Sequence, residues 1–426
     1  MKALHYMYWA LIFFTGIMQL SDVPSSIYKA GVPLMAILLL LVTIYKCKGV
    51  LKFPHSLLVI TYVFVSIISG VINNLDAFSV IYFLSYTIVS YFYFVVIINE
   101  SDLDRITSIK KFVLALALIQ IPAGVVKFFL IGQTEKGGIG TMETGAGSLS
   151  TIFPALMVAF VIGQFLYTKK IKYLIVVFLY LVFGIIGDKR AIVYIIPAVI
   201  ILAYGIFMRM NKFSMNNLRM IIAIPTVVFV VFFFSVKTLP TLNREHSNWG
   251  SFDLNYVFNY TANYNKTSST NSEEVSRQEG LVFFTNHIIG SPPSVFLFGE
   301  GAGNLVSSGF KSNESTMLSI YGVRYGGRMG FVWLILQVGI LGSALFFLII
   351  FRINQNIWKY YKRNSSSNPA IILGFLTATG VILWDAMLYS NSSVRYEVIK
   401  GIYFFAAALI YRNMSAEKNK KIKYVN

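Results

Sequence analysis

The sequence has few of the residues on which soluble enzymes and metal proteins depend. Of its 426 residues, 13% are charged, four are histidine and one is cysteine. The lone Cys47 excludes an internal disulfide and a cysteine-based metal site. The histidines lack metal-ligand spacing, and no nucleotide-binding fingerprint is present. We therefore expect no metal, no cofactor and no use of ATP.

Long apolar runs occupy most of the chain. Hydrophobic residues make up 56% of it, and the mean hydropathy is +0.67, as in polytopic membrane proteins. Runs of about 20 apolar residues predict helices, because a helix satisfies its own backbone hydrogen bonds in lipid. We predict an all-α bundle of twelve transmembrane helices, at residues 4–20, 30–45, 55–73, 77–98, 109–131, 148–167, 171–187, 191–208, 218–236, 329–351, 370–389 and 395–411.

These spans divide the chain into four parts. Residues 1–236 carry helices 1–9, and residues 237–328 form a large extracytoplasmic loop with short helices. Residues 329–411 carry helices 10–12, and residues 412–426 form a basic cytoplasmic tail. The loop is the largest break in an otherwise membrane-embedded chain.

The net charge of +18 indicates topology. With the N-terminus in the cytoplasm, 22 of the 36 basic residues but only 4 of the 18 acidic residues fall in cytoplasmic segments. Lys and Arg accumulate on that side of membrane proteins, so both termini are predicted to be cytoplasmic. The outer side then has no net charge, and nothing indicates a nucleic-acid partner.

One short outer turn departs from this bias. Gly187-Asp188-Lys189-Arg190 places two cations where the rule depletes them. An Asp–Lys pair and an Arg that extends from the helix start would explain the turn structurally. A functional role is the alternative.

The large loop contains a helix with both ends marked. Ser276 and Glu279 form a capping box, and Arg277 lies just inside it. An apolar run follows and ends at Gly290, before two prolines. His287, near the far end, has either a structural or a catalytic role.

Beyond the prolines, glycines alternate at positions 299, 301 and 303. Glycines let a backbone turn tightly and approach a ligand closely, although a flexible turn needs them too. Glu314 is placed to begin a further helix, where it either complements the helix dipole or acts chemically.

A last cluster joins the final two spans. Asp385 lies near the outer end of span eleven, and Arg395, Glu397 and Lys400 lie at the start of span twelve. Ionisable groups at this depth are candidates for a functional site, and mutual pairing would also explain them.

The order of these motifs resembles the bacterial O-antigen polymerase and O-antigen ligase superfamily, over residues 180–350 in motifs and the whole chain in topology. The resemblance implies an inverting, metal-independent glycosyltransferase that acts on undecaprenyl-diphosphate-linked oligosaccharides at the outer face of the bacterial cytoplasmic membrane. It makes Arg190 and Arg277 the cations that hold the diphosphate. Glu314 becomes the general base, where the family often has His-Asn. The remaining substrate-binding candidates are Lys189, His287, Gly299, Gly301, Gly303, Arg324, Arg328, Asp385 and Arg395.

Three functions fit this picture. The leading one is a polymerase of repeat units for O-antigen, lipopolysaccharide, capsule or exopolysaccharide, with the lipid-linked substrate and the bilayer as partners and a chain-length regulator and a flippase in the same pathway. An O-antigen ligase would transfer the finished glycan to lipid A-core. A flippase would need cations in a central cavity that reaches mid-membrane. The middle of nearly every predicted span lacks Asp, Glu, Lys and Arg.

Overall fold

The computed structural model describes residues 1–21, 23–131, 140–142, 147–187, 191–211, 226, 229–230, 232–239, 242–247, 249–266, 277–305, 329–363 and 368–423. Within these ranges every regular element is helical. The helices are α1 (Lys2–Phe13), α2 (Thr15–Leu20), α3 (Ser25–Lys46), α4 (Ser56–Ile72), α5 (Ala77–Asn99), α6 (Leu103–Ile131), α7 (Leu149–Thr168), α8 (Ile171–Ile186), α9 (Ala191–Met210), α10 (Leu254–Lys266), α11 (Arg277–Gly290), α12 (Pro293–Phe298), α13 (Gly330–Arg363), α14 (Pro369–Trp384), a π-helix (Asp385–Tyr389), α15 (Ser392–Arg395) and α16 (Glu397–Lys423).

Among the described residues, six stretches are long and apolar enough to cross a membrane. They are α5, residues 103–129 of α6, α7, α9, α13, and α14 together with the π-helix. Three shorter apolar helices, residues 30–46, α4 and α8, accompany them. The chain is therefore an all-helical, multi-pass membrane protein. In lipid this architecture keeps the backbone hydrogen bonds within each helix.

Most of the predicted spans coincide with helices to within a few residues. The main differences are interruptions and extensions. The first predicted span breaks at Phe14, and the last continues to Lys423. The predicted span 218–236 is described only in part, and residues 232–238 of the chain are helical.

The turns between helices contact one another in two groups, as expected when successive helices run in alternating directions. In the first group, the backbone N–H of Lys52 donates to the Asn99 side chain at 2.8 Å, and Arg412 donates to the Ser101 carbonyl at 3.1 Å. In the second, the Gly330 N–H donates to the Ser390 carbonyl at 3.1 Å. The turns of the first group are those predicted to be cytoplasmic, and those of the second are those predicted to be outside.

Helix α5 is the centre of the bundle. Its 23 residues include fourteen that are buried, and it packs against α3, α4 and α16. The Tyr93 hydroxyl accepts a hydrogen bond from the Trp9 indole at 2.9 Å, and its ring stacks on Tyr8. These contacts fix α1 against α5. One wall of the candidate site is therefore rigid.

Helix α13 is broken near its N-terminal end. Gly339 has φ 64° and ψ −172°, so the helix stops and restarts there. A Cβ at this position would lie 2.2 Å from the Leu297 carbonyl oxygen. Only glycine accepts both the left-handed backbone and this contact. The break lets α12 pack directly on the backbone of α13.

Candidate functional site

The candidate site begins where the span formed by α14 ends. Five residues of π-helix, Asp385–Tyr389, interrupt the regular hydrogen bonding, and a hydroxyl-rich turn leads to the short helix α15. π-Helical turns are frequent at functional sites. Arg395, a substrate-binding candidate, is the last residue of α15.

Asp385 holds α15 in place. Its carboxylate is fully buried and accepts hydrogen bonds from the Ser393 N–H at 2.6 Å and from the Ser390 hydroxyl. A carboxylate that accepts from the first N–H groups of a helix caps its N-terminus. Asp385 thus positions the helix that carries Arg395.

Hydroxyl groups connect this turn to α7. Ser392 lies 3.0 Å from the Ser390 hydroxyl and 2.6 Å from the Ser148 hydroxyl, oxygen to oxygen. The Tyr389 hydroxyl lies 3.1 Å from that of Thr151. The serines of this turn therefore form a line of hydroxyl contacts with the start of α7. Asp385 and α7 together hold α15 in place.

Arg395 lies in an open cleft. The cleft is lined by residues of α1, α2, α3 and α5, of the 140–149 region and of the α15–α16 junction: Ile12, Thr15, Tyr28, Val32, Pro33, Ser85, Tyr86, Met142, Leu149, Arg395, Tyr396, Glu397 and Val398. Its walls combine aliphatic side chains with hydroxyls, one guanidinium (Arg395) and one carboxylate (Glu397). Such a surface fits an amphipathic ligand with a polar head.

The cleft extends far into the bundle. Ser85 and Tyr86 lie eight and nine residues beyond the start of α5, roughly 12 to 14 Å along its axis. Ser90, whose hydroxyl donates to Glu397, is roughly 20 Å from that end and 14 Å from the other. Through Glu397, the polar contacts of the cleft thus reach about the middle of α5.

Glu397 is neutralised within the protein. Its carboxylate makes an ion pair with Lys400 at 2.7 Å, although the angle is not that of a hydrogen bond. The Lys400 side chain is 2% exposed and that of Glu397 15%. Among the residues that the structure describes, the Arg395 guanidinium has no ion pair or hydrogen bond. The net charge of the cleft is therefore that of one arginine.

The four ionisable residues of the cluster predicted at the last two spans thus have three different roles. Glu397 and Lys400 pair with each other, as mutual compensation predicts. Asp385 instead binds hydroxyl and amide groups of the α15 turn. Arg395 faces the cleft. The sequence contained the charges, but it did not show which would remain unpaired.

The alternating glycines approach protein backbone. A Cβ at Gly299 would lie 2.6 Å from the Gln337 carbonyl carbon, and one at Gly303 would lie 2.3 Å from the Ser79 carbonyl oxygen. Gly301 packs against the Leu75 side chain. All three have positive φ, from 74° to 117°. In this structure they let the segment dock into the break of α13.

Hydrogen bonds complete that junction. The Glu300 N–H donates to the Leu336 carbonyl at 2.7 Å, which satisfies a carbonyl freed by the break. The Ser69 hydroxyl donates to the Gln337 carbonyl at 2.6 Å and accepts from the Ala302 N–H at 3.1 Å. The glycine-rich segment therefore caps a broken helix.

His287 contacts the same segment through a side chain that sequence reasoning missed. Its Nε2 is hydrogen-bonded to the Glu300 carboxylate, and the two side chains are 28% and 14% exposed. The glycines on either side of Glu300 were the sequence feature that could have identified it, because they indicate a backbone conformation that other residues rarely adopt. The pair ties α11 to the α13 junction.

The remaining predicted site residues cannot be placed. Lys189, Arg190, Glu314, Arg324 and Arg328 lie outside the described residues, and Arg277 begins α11 with its side chain not described. The flank of one of these segments reaches the α15 turn, and the flank of another reaches α7. Gly187 abuts Ser150 of α7, and Gly330 packs on Val394.

In the part of the chain that the structure describes, no three His, Cys, Asp or Glu side chains gather as metal ligands would. The comparison with known proteins adds no identification, because no protein-family model and no curated protein matches this chain.

Proposed function

We propose that the protein is a glycosyltransferase that polymerises undecaprenyl-diphosphate-linked oligosaccharide units at the outer face of the bacterial cytoplasmic membrane. In this proposal twelve spans and a large extracytoplasmic loop, residues 237–328, surround the site. The observation that carries it is the cleft with its unpaired Arg395. The resemblance of the loop motifs to O-antigen polymerases and ligases supplies the substrate class.

The shape and charge of the cleft support a lipid-diphosphate ligand. An arginine fork binds phosphate oxygens in bidentate fashion, and it is worth more where water is excluded. Aliphatic residues such as Val32, Pro33 and Val398 offer a surface to a prenyl chain. Since Lys400 compensates Glu397, the remaining charge favours an anion.

The reaction requires little beyond cations and a base. The acceptor hydroxyl oxygen attacks the anomeric carbon, the bond from that carbon to the diphosphate oxygen breaks, and its electron pair leaves with the lipid diphosphate. Arg190, Arg277 and Arg395 stabilise the developing negative charge. Glu314 takes the hydroxyl proton. The anomeric configuration inverts, and no metal takes part.

The test combines a deletion strain with single variants. Deletion should leave single repeat units on the surface lipid, and the wild-type gene should restore a ladder of polymer lengths. We expect Arg395→Ala to shorten or abolish the ladder with normal protein levels, since removing one such donor costs about 100-fold or more in rate. Arg395→Lys should retain part of it. Arg352→Ala, at an exposed arginine of α13, is the matched control.

A full ladder from Arg395→Ala would refute the role of the cleft. If deletion instead removes all surface glycan and lipid-linked units accumulate on the cytoplasmic face, the protein is a flippase. If full-length polymer accumulates on its lipid carrier without reaching lipid A-core, the protein is a ligase.

The flippase alternative has one observation in its favour. The sequence argument against it was the lack of charges in mid-span, yet Glu397 and Lys400 lie beside the middle of α5. Interrupted helices around a deep polar cavity are also typical of transporters. The deletion phenotype separates the two functions directly.

A further inference from the structure

The two short helices α11 and α12 form a hairpin with an apolar tip. Residues 281–298 contain no Asp, Glu, Lys or Arg. At the tip, Ile289 is 78% exposed, Phe296 46% and Leu297 38%, and both prolines of the turn are exposed. In water this would be an unfavourable concentration of apolar surface.

Much of the backbone of the tip is already satisfied. Residues 277–290 and 293–298 are helical, and the Val295 and Gly299 N–H groups donate within the chain at 2.9 and 2.8 Å. The two prolines have no N–H to satisfy. Lipid-exposed segments must meet this requirement, because no water is available to hydrogen-bond them.

The polar side chains near the tip are also bonded within the protein. The Thr285 hydroxyl donates to the Leu281 carbonyl at 2.8 Å, and the Ser291 hydroxyl donates to the His287 carbonyl at 2.7 Å. His287 itself is hydrogen-bonded to Glu300. The hairpin therefore needs little from solvent apart from the exposed Asn286 and Ser294.

The tip is continuous with the lipid-facing side of α13. The Leu297 carbonyl contacts Gly339, and the next two residues of α13, Ile340 and Leu341, are 36% and 40% exposed. Close to this contact, the Ser69 hydroxyl in the last turn of α4 donates to the Gln337 carbonyl of α13, so the contact lies near the end of α4. Apolar side chains of the tip and of a membrane-spanning helix thus form one surface.

From this arrangement we infer that the hairpin tip, residues 289–298, is inserted in the hydrocarbon of the bilayer, with lipid acyl chains as its partner. The exposed surface of the tip is too small to be the binding site of a second protein. Three partly exposed side chains and two prolines offer far less than the roughly 1,000 Å² that a specific interface buries. The inference does not depend on the proposed function, and it means that part of the large loop is embedded.

Site-directed nitroxide labelling tests this directly. The single native cysteine is replaced (Cys47→Ser), and Ile289→Cys or Phe296→Cys is introduced into the full chain in proteoliposomes. Phe351→Cys, 59% exposed on α13, is the lipid-facing control. His246→Cys, at an exposed polar position of the same loop, is the aqueous control. Accessibility to oxygen and to a water-soluble nickel chelate is measured at each site.

We expect labels at 289 and 296 to behave like the label at 351. Their accessibility to the nickel chelate should be several-fold lower than at 246, and their oxygen accessibility should be high. Nickel accessibility equal to that at 246 would place the tip in water and overturn the inference. Protection from both reagents would also overturn it, because protein would then cover the tip.

Discussion

Among the interrupted spans in the described part of this protein, two differ in what fills the interruption. At Gly339, backbone from the glycine-rich segment enters the gap, and the Glu300 N–H satisfies the freed Leu336 carbonyl. After Trp384, the π-helix and α15 leave a turn that is held by a buried carboxylate and ends at an arginine facing a cleft. The first break is closed by protein, whereas the second leads to open space.

The comparison teaches that residue type alone does not identify a ligand site. Alternating glycines and a cluster of charges both indicate a possible functional site in the sequence. Gly299 and Gly303 contact main chain, and Gly301 contacts the Leu75 side chain, at distances that leave no room for a further side chain. Of the four charges, only Arg395 is unpaired within the described ranges. Packing decides which of the two features faces a ligand.

The largest effect on stability is expected at the break in α13, which protein backbone fills. Gly339→Ala should destabilise the protein by at least about 3 kcal/mol, because alanine at positive φ costs roughly 1–2 kcal/mol and its Cβ would clash with the Leu297 carbonyl. Thermal unfolding in detergent, followed by size-exclusion chromatography, measures the change.

Gly205→Ala is the matched control for that substitution. This glycine lies within α9, and a Cβ there would meet nothing within 4 Å. Alanine is the better helix former by about 1 kcal/mol, so the unfolding temperature should hold or rise. Equal losses in the two variants would show that the break at Gly339 is not closed as described.

The next largest loss of stability is expected from a substitution at the break after Trp384. Asp385→Ala removes the acceptor for the Ser393 N–H and the Ser390 hydroxyl, and buried donors left unpaired cost about 1–3 kcal/mol. Asp385→Asn retains one oxygen acceptor and should recover part of the loss in unfolding temperature. If Asn is no better than Ala, the capping role of Asp385 is wrong.

A smaller effect is expected at Ser69, which bridges α4 to the glycine-rich segment. Ser69→Ala leaves the Gln337 carbonyl and the Ala302 N–H without their partner, at a cost of about 1–2 kcal/mol. Ser66, equally buried one turn earlier, donates to the Tyr62 carbonyl of its own helix. Ser66→Ala should therefore lower the unfolding temperature less, and the reverse order would contradict the bridge.

The sequence was sufficient for the helices. Apolar runs placed α4, α5, α7 and α8 to within one or two residues, because membrane helices must satisfy their backbones internally and must match the bilayer in length. The breaks were not predictable in this way. Phe14 and Gly339 lie inside apolar runs, and the close approach that demands glycine at 339 comes from residues about 40 positions earlier.

The candidate site was predictable only as a set of residues. Arg395 and Asp385 were identified from their depth in the spans, yet their separate roles follow from the α15 turn. Other walls of the cleft come from α1, α2, α3, α5 and the start of α7, and Tyr28 and Tyr86 stand among many aromatic residues. Nothing local distinguishes those two positions, because the cleft exists only once distant helices pack together.

The smallest expected effect is a pH dependence at the opposite end of the bundle. His55 precedes α4, and its Nε2 lies 3.2 Å from both the Tyr411 hydroxyl and the Asn356 amide nitrogen. Burial, and then the charge of Arg352, lower the pKa of His55 below its usual 6.5. The unfolded chain therefore binds the proton more readily, so stability is lost as pH falls below about 6.5. The unfolding temperature of the wild type should decline over that range more than that of His55→Gln. Parallel declines would show that His55 is not the titrating group.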